Sequence, residues 1–453
     1  MKQLLFLFFL LINLQIIAQK LVAVAVREDL NFLAEHISKY NPALSHYHPK
    51  FDSLSTQVIE RVPQDSVSLF TYFSAVSRIC AFANEGHFKI GDRDDVFRKG
   101  ISEDTYAYLP IQVKIVAGRV FLYGDFSDEQ IMRRGDEIIA INGMNVKNVL
   151  DALLELTPSD GEIMTYAYRK IEDRFNSLYY LHIERPDTFK INFLDKNKEE
   201  RTILLKALVR SDQIKNLKKY YPNNDSKDTS TPDSFYSLEI TDDYALLKLP
   251  SFDFRKVNKF KVKSTTLYKT IFKVLQDKKV QHLVIDLRDN TGGRNEFADD
   301  MLPFILSSPS TDKYVKKTIS WEGKEKLYKM PSPSKLAFKG SIYALVNGKT
   351  FSAGSSLARF LKEYGNATVI GTETGTRYEG FAAGSNQDIN LPNTGLTVGI
   401  PRYHILYPES VKQKTTNRGL LPDYEIAHTF ETYSKRIDLH IKKVTALISE
   451  EQF

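Results

Sequence analysis

The sequence predicts a multidomain α/β protein. It has an N-terminal helical region, a β-rich module and a C-terminal α/β sandwich with parallel strands. Three observations carry this expectation. From Tyr244 onward, apolar strand runs alternate with helical patterns, as βαβ units require. Residues 19 to about 95 place apolar side chains at helical spacing. Between about 100 and 155, short strand-like runs flank tight-turn signals.

Taken in order, Met1-Lys2-Gln3 is followed by the apolar run Leu4–Ile12 and then by Ala18. One positive charge, a short apolar core and a small residue read as a secretory signal peptide over 1–18. The run is too short to span a bilayer comfortably, and no later run reaches spanning length, so no stable membrane insertion is expected. Export to a periplasmic or secreted location follows. Residues 19–95 read as a helical domain, with Leu30, Leu33, Ile37 and Tyr40 on one helix and Leu69, Phe73, Val76 and Ile79 on a second beginning at Ser66. Residues 96–155 read as the β-rich module. Val113–Val116 and Arg119–Tyr123 are strands around Ala117-Gly118, and a tight turn at Asn142-Gly143 precedes a helix at Val146–Leu154.

Residues 156–235 read as a connecting region with strand-like runs at Phe189–Phe193 and Arg201–Leu205, ending in the polar linker Pro222–Ser234. Residues 236–430 read as the α/β core. Its strands are Tyr244–Leu249, a run from Val280 and Ile342–Val346, with helical stretches at Leu267–Leu275, Phe297–Leu306 and Leu357–Leu361. A C-terminal helix is expected over 431–453.

The 453 residues suffice for two or three domains, and 42% hydrophobic content with 12% aromatics supports a sizeable core. The net charge of +6 comes from 62 basic and 56 acidic residues mixed along the chain. No basic tract interleaved with aromatics argues for nucleic acid. Cys80 is the single cysteine, so no internal disulfide can form.

Two segments carry chemistry. Gly348-Lys-Thr-Phe-Ser-Ala-Gly-Ser-Ser-Leu-Ala358 follows a strand and opens a helical pattern. Such a turn lifts the Ser352 hydroxyl to the C-terminal edge of a sheet, beside free helix N–H groups. A plain helix cap at Ser352 is the other reading, since serine is a common cap. Val280-Gln-His-Leu-Val-Ile-Asp-Leu-Arg-Asp-Asn-Thr-Gly-Gly293 is a buried strand ending in a Gly-Gly turn, where backbone approaches a ligand closely. His46 and His48 stand two apart, which reads as a surface loop before a metal site, and no lysine-bearing phosphate loop occurs. Neither a metal nor another cofactor is expected.

Together the segments resemble the C-terminal processing (tail-specific) serine peptidases, including their tricorn-core branch. The resemblance rests on Asp286–Gly293, Thr350-Phe-Ser-Ala353, Ala367-Thr-Val-Ile-Gly-Thr-Glu-Thr-Gly375 and Gly419-Leu-Leu-Pro-Asp423, in that order over roughly 240–430. It implies an exported serine endopeptidase acting on polypeptide substrates, with Ser352 as nucleophile and an oxyanion hole from the amides of Gly293 or Gly292 and of Ala353. One branch of the family uses a lysine base. Here Arg377 stands at that position, and arginine stays protonated. The other branch uses an N-terminal histidine, and Ala83-Asn-Glu-Gly-His-Phe88 points to His87 as the base. That branch can carry a serine where Gly86 stands, and it carries a glutamate where Thr416 stands; Glu409 and Glu373 are the candidate substitutes.

Arg134-Gly-Asp-Glu-Ile-Ile-Ala-Ile-Asn-Gly143 resembles the strand-turn of PDZ domains, which these peptidases carry at this position. The Gly-Leu-Gly-Phe-type carboxylate loop is not evident, so a structural role stands beside peptide-tail capture. A catalytically inactive relative that binds a peptide or small ligand is the alternative function.

Overall fold

The computed structural model describes residues 20–91, 106–221, 235–426, 428–435 and 437–451. The signal-peptide and linker expectations fall on residues outside these. The chain forms two compact units that interleave along the sequence. One comprises 1–158, 170–223 and 384–402, and the other comprises 159–169, 224–383 and 403–453.

The second unit is built on a six-stranded sheet. Its strands, in spatial order, are Ser237–Ile240, Ala245–Lys248, His282–Asp286, Ser341–Val346, Thr368–Gly371 and Tyr424–Glu425. The first pair is antiparallel and the rest are parallel. Alternate residues feed two different cores. Ala245, Leu247, Leu283, Ile285, Ala344 and Val346 pack with the helices Ser264–Asp277 and Ala353–Tyr364. Leu246, Val284, Tyr343, Leu345 and Ile370 pack instead with Val444, Leu447 and Ile448 of the helix Leu439–Glu451. Covering both faces explains why these strands read as unbroken apolar runs. The region expected as one helix at Phe297–Leu306 is two single turns, Glu296–Asp299 and Leu302–Ile305, the second with a proline in its first turn.

The first unit holds the helices Ala23–Tyr40, Phe51–Glu60 and Leu69–Phe82 around one core. Leu30, Leu33 and Ile37 are buried there, as their spacing predicts. Residues 66–68, expected as the start of a helix, pair as a short strand with Lys20–Val22, and Ser68 then caps the helix through Thr71 N–H. Ile389, Leu391, Leu396 and Val398 join the same core from a distant part of the chain. The buried Asp29 carboxylate receives Tyr72 Oη and Thr394 Oγ1, each at 2.8 Å, and the Asn393 amide at 2.8 Å.

A second sheet of this unit is antiparallel, in the order Glu200–Lys206, Thr188–Leu194, Glu137–Ile141, Arg119–Asp125 and Ile111–Val116. The Asn142-Gly143 turn has φ of 49° and 81° at its two residues, as a two-residue hairpin demands. Between Leu154 and Thr188 the chain forms the helix Met164–His182, interrupted at Arg174.

Candidate functional site

Two turns leave the C-terminal ends of neighbouring parallel strands, His282–Asp286 and Ser341–Val346, and are tied to each other. Asn290 is the tie. It is fully buried, its Nδ2 donates to Leu249 O at 2.7 Å, its Oδ1 accepts from Gly292 N–H at 2.9 Å, and its carbonyl accepts from Phe351 N–H at 2.9 Å. Thr350 Oγ1 donates to Leu287 O at 2.8 Å and joins the turns a second time.

This contact requires two glycines. A Cβ on Gly292, where φ is +84°, would lie 2.7 Å from Ser352 Cβ and 2.8 Å from Ala353 N. A Cβ on Gly354 would lie 2.5 Å from Asn290 O. Both positions therefore exclude any side chain.

Ser352 adopts φ 54°, ψ −128°, a backbone conformation that L-residues avoid and that costs on the order of 1–3 kcal/mol. The surroundings hold it there. Its N–H donates to Thr376 Oγ1 at 2.7 Å, and its carbonyl accepts from Ser356 N–H at 2.9 Å. Phe351, just before it, stacks on Tyr166 with centroids 4.2 Å apart and planes 4° apart. The Ser352 side chain makes no capping hydrogen bond to the helix Ala353–Tyr364 that it precedes. The plain-cap reading of this serine is thus set aside, because the capping geometry is replaced by a sharp turn that presents a half-buried hydroxyl.

The three amides expected to meet an oxyanion differ. Gly292 N–H is already given to Asn290 Oδ1, so it has no capacity for a ligand. The amides of Gly293 and Ala353 donate to no acceptor among the described residues.

The carboxylates also separate. Glu373 is buried and receives Arg418 Nε at 2.7 Å, Arg418 Nη2 at 2.8 Å and Gly419 N–H at 2.9 Å. Both of its oxygens are therefore occupied in joining the Thr372–Gly375 turn to the closing Gly419–Asp423 segment. Glu409 is exposed on the Tyr407–Ser410 stretch.

Sequence reasoning missed Glu379. Its Oε1 accepts from Asn417 N–H at 2.7 Å, immediately after Thr416, while its Oε2 is buried with no hydrogen bond among the described residues. No motif marks this residue; only the fold brings it to Asn417. Arg377 is 1% exposed, and its N–H donates to Asp160 Oδ2 at 3.2 Å. The Arg288 guanidinium donates two hydrogen bonds to Asp286, and Arg288 grips Asp438 with two more. They brace the turn rather than face a ligand.

His87 belongs to the first unit. It lies between the helix Leu69–Phe82 and the short strand Lys89–Ile90, and it is half-buried. Its carbonyl accepts from Asn386 Nδ2 at 3.3 Å, and the strand after it pairs with Val398 and Gly399. The hairpin segment 384–402 thus fixes the backbone at this histidine. His46 is exposed on the four-residue helix Leu44–Tyr47. Among the described residues, no helix is long and apolar enough to cross a membrane.

The sequence model of peptidase family S41 matches residues 243–426. No curated protein sequence matches this chain. Among solved structures, mature CPAF aligns with a TM-score of 0.68 at 14% identity, over 95% of this chain and 99% of that one. Mature CPAF complexed with lactacystin aligns at 0.67 and 14% identity, over 94% and 99%. The photosystem II D1 C-terminal processing protease aligns at 0.44 and 14% identity, over 88% and 93%. For the two CPAF structures, at 14% identity, the likeness is one of fold.

Proposed function

From a chain that carries a peptidase family S41 domain over residues 243–426, and is thereby a serine-type peptidase, we infer an exported endopeptidase that cuts polypeptides with Ser352 as nucleophile and His87 as general base. The observation that carries this reading is Ser352 itself. A non-glycine residue held at φ 54° without any capping bond has a conformation with no local benefit. Its hydroxyl stands beside the unengaged amides of Gly293 and Ala353.

The steps follow from these groups. His87 accepts the Ser352 Oγ proton as Oγ attacks the scissile carbonyl, forming the C–O bond. The carbonyl oxygen takes the negative charge and is held by Gly293 and Ala353 N–H. His87 then gives its proton to the leaving amine as the C–N bond breaks, and water hydrolyses the acyl-serine by the reverse proton path. Arg377 cannot serve as base because a guanidinium does not release its proton near neutrality. Glu379, with one oxygen held at Asn417 and the other unbonded, is the carboxylate best suited to orient the machinery. Residues 1–18 direct export and are removed.

The test is to treat the purified protein with a fluorophosphonate probe and to locate the modified residue. Labelling at Ser352, with N-terminal sequencing of the exported protein starting near Gln19, is the expected result. An unlabelled Ser352 in folded protein would leave the ligand-binding alternative in its place.

A further inference from the structure

Behind the serine turn, between the helix Ala353–Tyr364 and the segment Thr374–Tyr378, the second unit encloses a small polar cavity. It leaves about 10 Å³ to the centre of a water-sized body, which is room for one such body and no more. Arg359, Thr374 and Thr376 line it and are 2%, 0% and 1% exposed. Arg377, Tyr378 and Tyr407 line it too.

The first three side chains carry unspent donors. Arg359 gives Nη1 to Tyr378 O at 3.0 Å and Nη2 to Pro408 O at 2.8 Å, but its buried Nε has no partner among the described residues. Thr374 Oγ1 accepts from Leu420 N–H at 2.9 Å, and Thr376 Oγ1 accepts from Ser352 N–H at 2.7 Å. Each hydroxyl still has a proton to give, and neither gives it to an acceptor among the described residues. Three donors thus border a space the size of one atom.

Charge points the same way. Arg359 meets neutral groups: two carbonyls, and the rings of Tyr378 and Tyr407, whose centroids lie 4.1 and 4.9 Å from the guanidinium. Burial pushes both phenols up, so neither ionises to neutralise it. Glu363, one helical turn further on, is taken by Tyr378 Oη and Ser410 Oγ. No Asp or Glu lines the cavity. A buried cation without a counter-ion is costly. A water would satisfy donors and leave that charge, whereas a monovalent anion does both. The size admits a single atom, which leaves a halide rather than nitrate, sulfate or phosphate.

We propose that this cavity binds one chloride ion, held by Arg359 Nε–H and by the hydroxyls of Thr374 and Thr376. The site goes beyond the peptidase reading and does not rest on it. Because Thr376 Oγ1 also holds Ser352 N–H, an ion that accepts the Thr376 hydrogen bond fixes the hydroxyl supporting the strained turn.

The experiment follows the thermal midpoint of the full chain while chloride replaces gluconate, an anion too large for the cavity, at constant total sodium. Chloride is expected to raise the midpoint saturably, by about 5 °C or more at a hundredfold excess over its Kd. The rise should disappear in Arg359→Met. In Thr374→Val, half-saturating chloride should increase about tenfold, as loss of one hydrogen bond to a charged group implies. Should these variants fail to fold, wild-type crystals soaked in sodium bromide decide, with an anomalous peak expected between Arg359 and the two threonines. A midpoint indifferent to the exchange of anions, a rise that persists in folded Arg359→Met, or bromide crystals without that peak would overturn the site. Each of these leaves the Ser352 reading as it stands.

Discussion

The sheets of the two units differ in how they are buried. In the parallel strand Ser341–Val346, five consecutive residues are buried, because helices cover both faces. In the antiparallel strand Glu200–Lys206, only Ile203 and Leu205 are buried, alternating with exposed neighbours. The difference matters for chemistry. A sheet covered on both faces leaves its C-terminal edge as the place where backbone can meet a ligand, and the second unit puts a strained serine and two unengaged amides there. The first unit contributes, on the proposed reading, a single side chain whose backbone is fixed by a distant hairpin.

The sharpest test of this division is Ser352→Ala. Cleavage should fall at least about a thousandfold, as for loss of other serine nucleophiles, with the thermal midpoint nearly unchanged because no capping bond is lost. Substantial residual cleavage, measured after removal of contaminating protease, would move the chemistry away from the second unit's edge. His87→Gln should then cost about a hundredfold or more in kcat/KM. An unaffected variant would make the second unit catalytically self-sufficient and end the proposed partnership.

Gly292→Ala tests the turn contact without removing a reacting group. The new Cβ would meet Phe351 O and Ser352 Cβ at 2.7 Å, at a φ of +84° that disfavours alanine. A loss of about 2–3 kcal/mol in stability is expected, with activity reduced in the remaining folded protein. Chemical denaturation at wild-type stability would show that the two turns are less closely coupled than the distances require.

The smallest effect compares the units through one buried histidine in each. Burial lowers His182 in the first unit and His440 in the second to about 4. An unfolded imidazole titrates near 6.5. Between these values the unfolded chain binds more protons, so stability from the neutral imidazoles is full above about pH 6.5 and is lost as pH falls toward 4. Each contributes on the order of 1–3 kcal/mol to that loss. Calorimetry from pH 7 to 4.5 should show a shallower decline for His182→Gln and for His440→Gln than for the wild type. If only one variant flattens the curve, acid sensitivity belongs to that unit alone.

What could be read from sequence was local. The apolar runs at Leu283–Leu287 and Ile342–Val346 declared buried parallel strands, and Asn142-Gly143 declared its turn. Gly292-Gly293 and the strand–serine–helix order around Ser352 declared the two turns, because these features depend on backbone rules that neighbouring residues enforce. The errors were also physical. The Met164–His182 helix lies in the connecting region, where no helix was read, since its aromatic and charged residues make no clean stripe. Ser66–Ser68 forms a strand because Lys20–Val22 pairs with it, a partner more than forty residues away.

By itself, then, the sequence determined the sheet of the second unit and the sharp serine turn that follows one of its strands, where each residue's conformation follows from its immediate neighbours. Only the tertiary structure decided that Gly292 spends its amide on Asn290, that Glu373 is consumed by Arg418, and that Glu379 reaches Asn417. It also decided that residues 384–402 pack with the N-terminal helices. Each of these depends on which distant groups compete for one hydrogen bond or one buried surface. That competition is settled by burial, where leaving a polar atom without a partner is costly, and linear spacing carries no record of it.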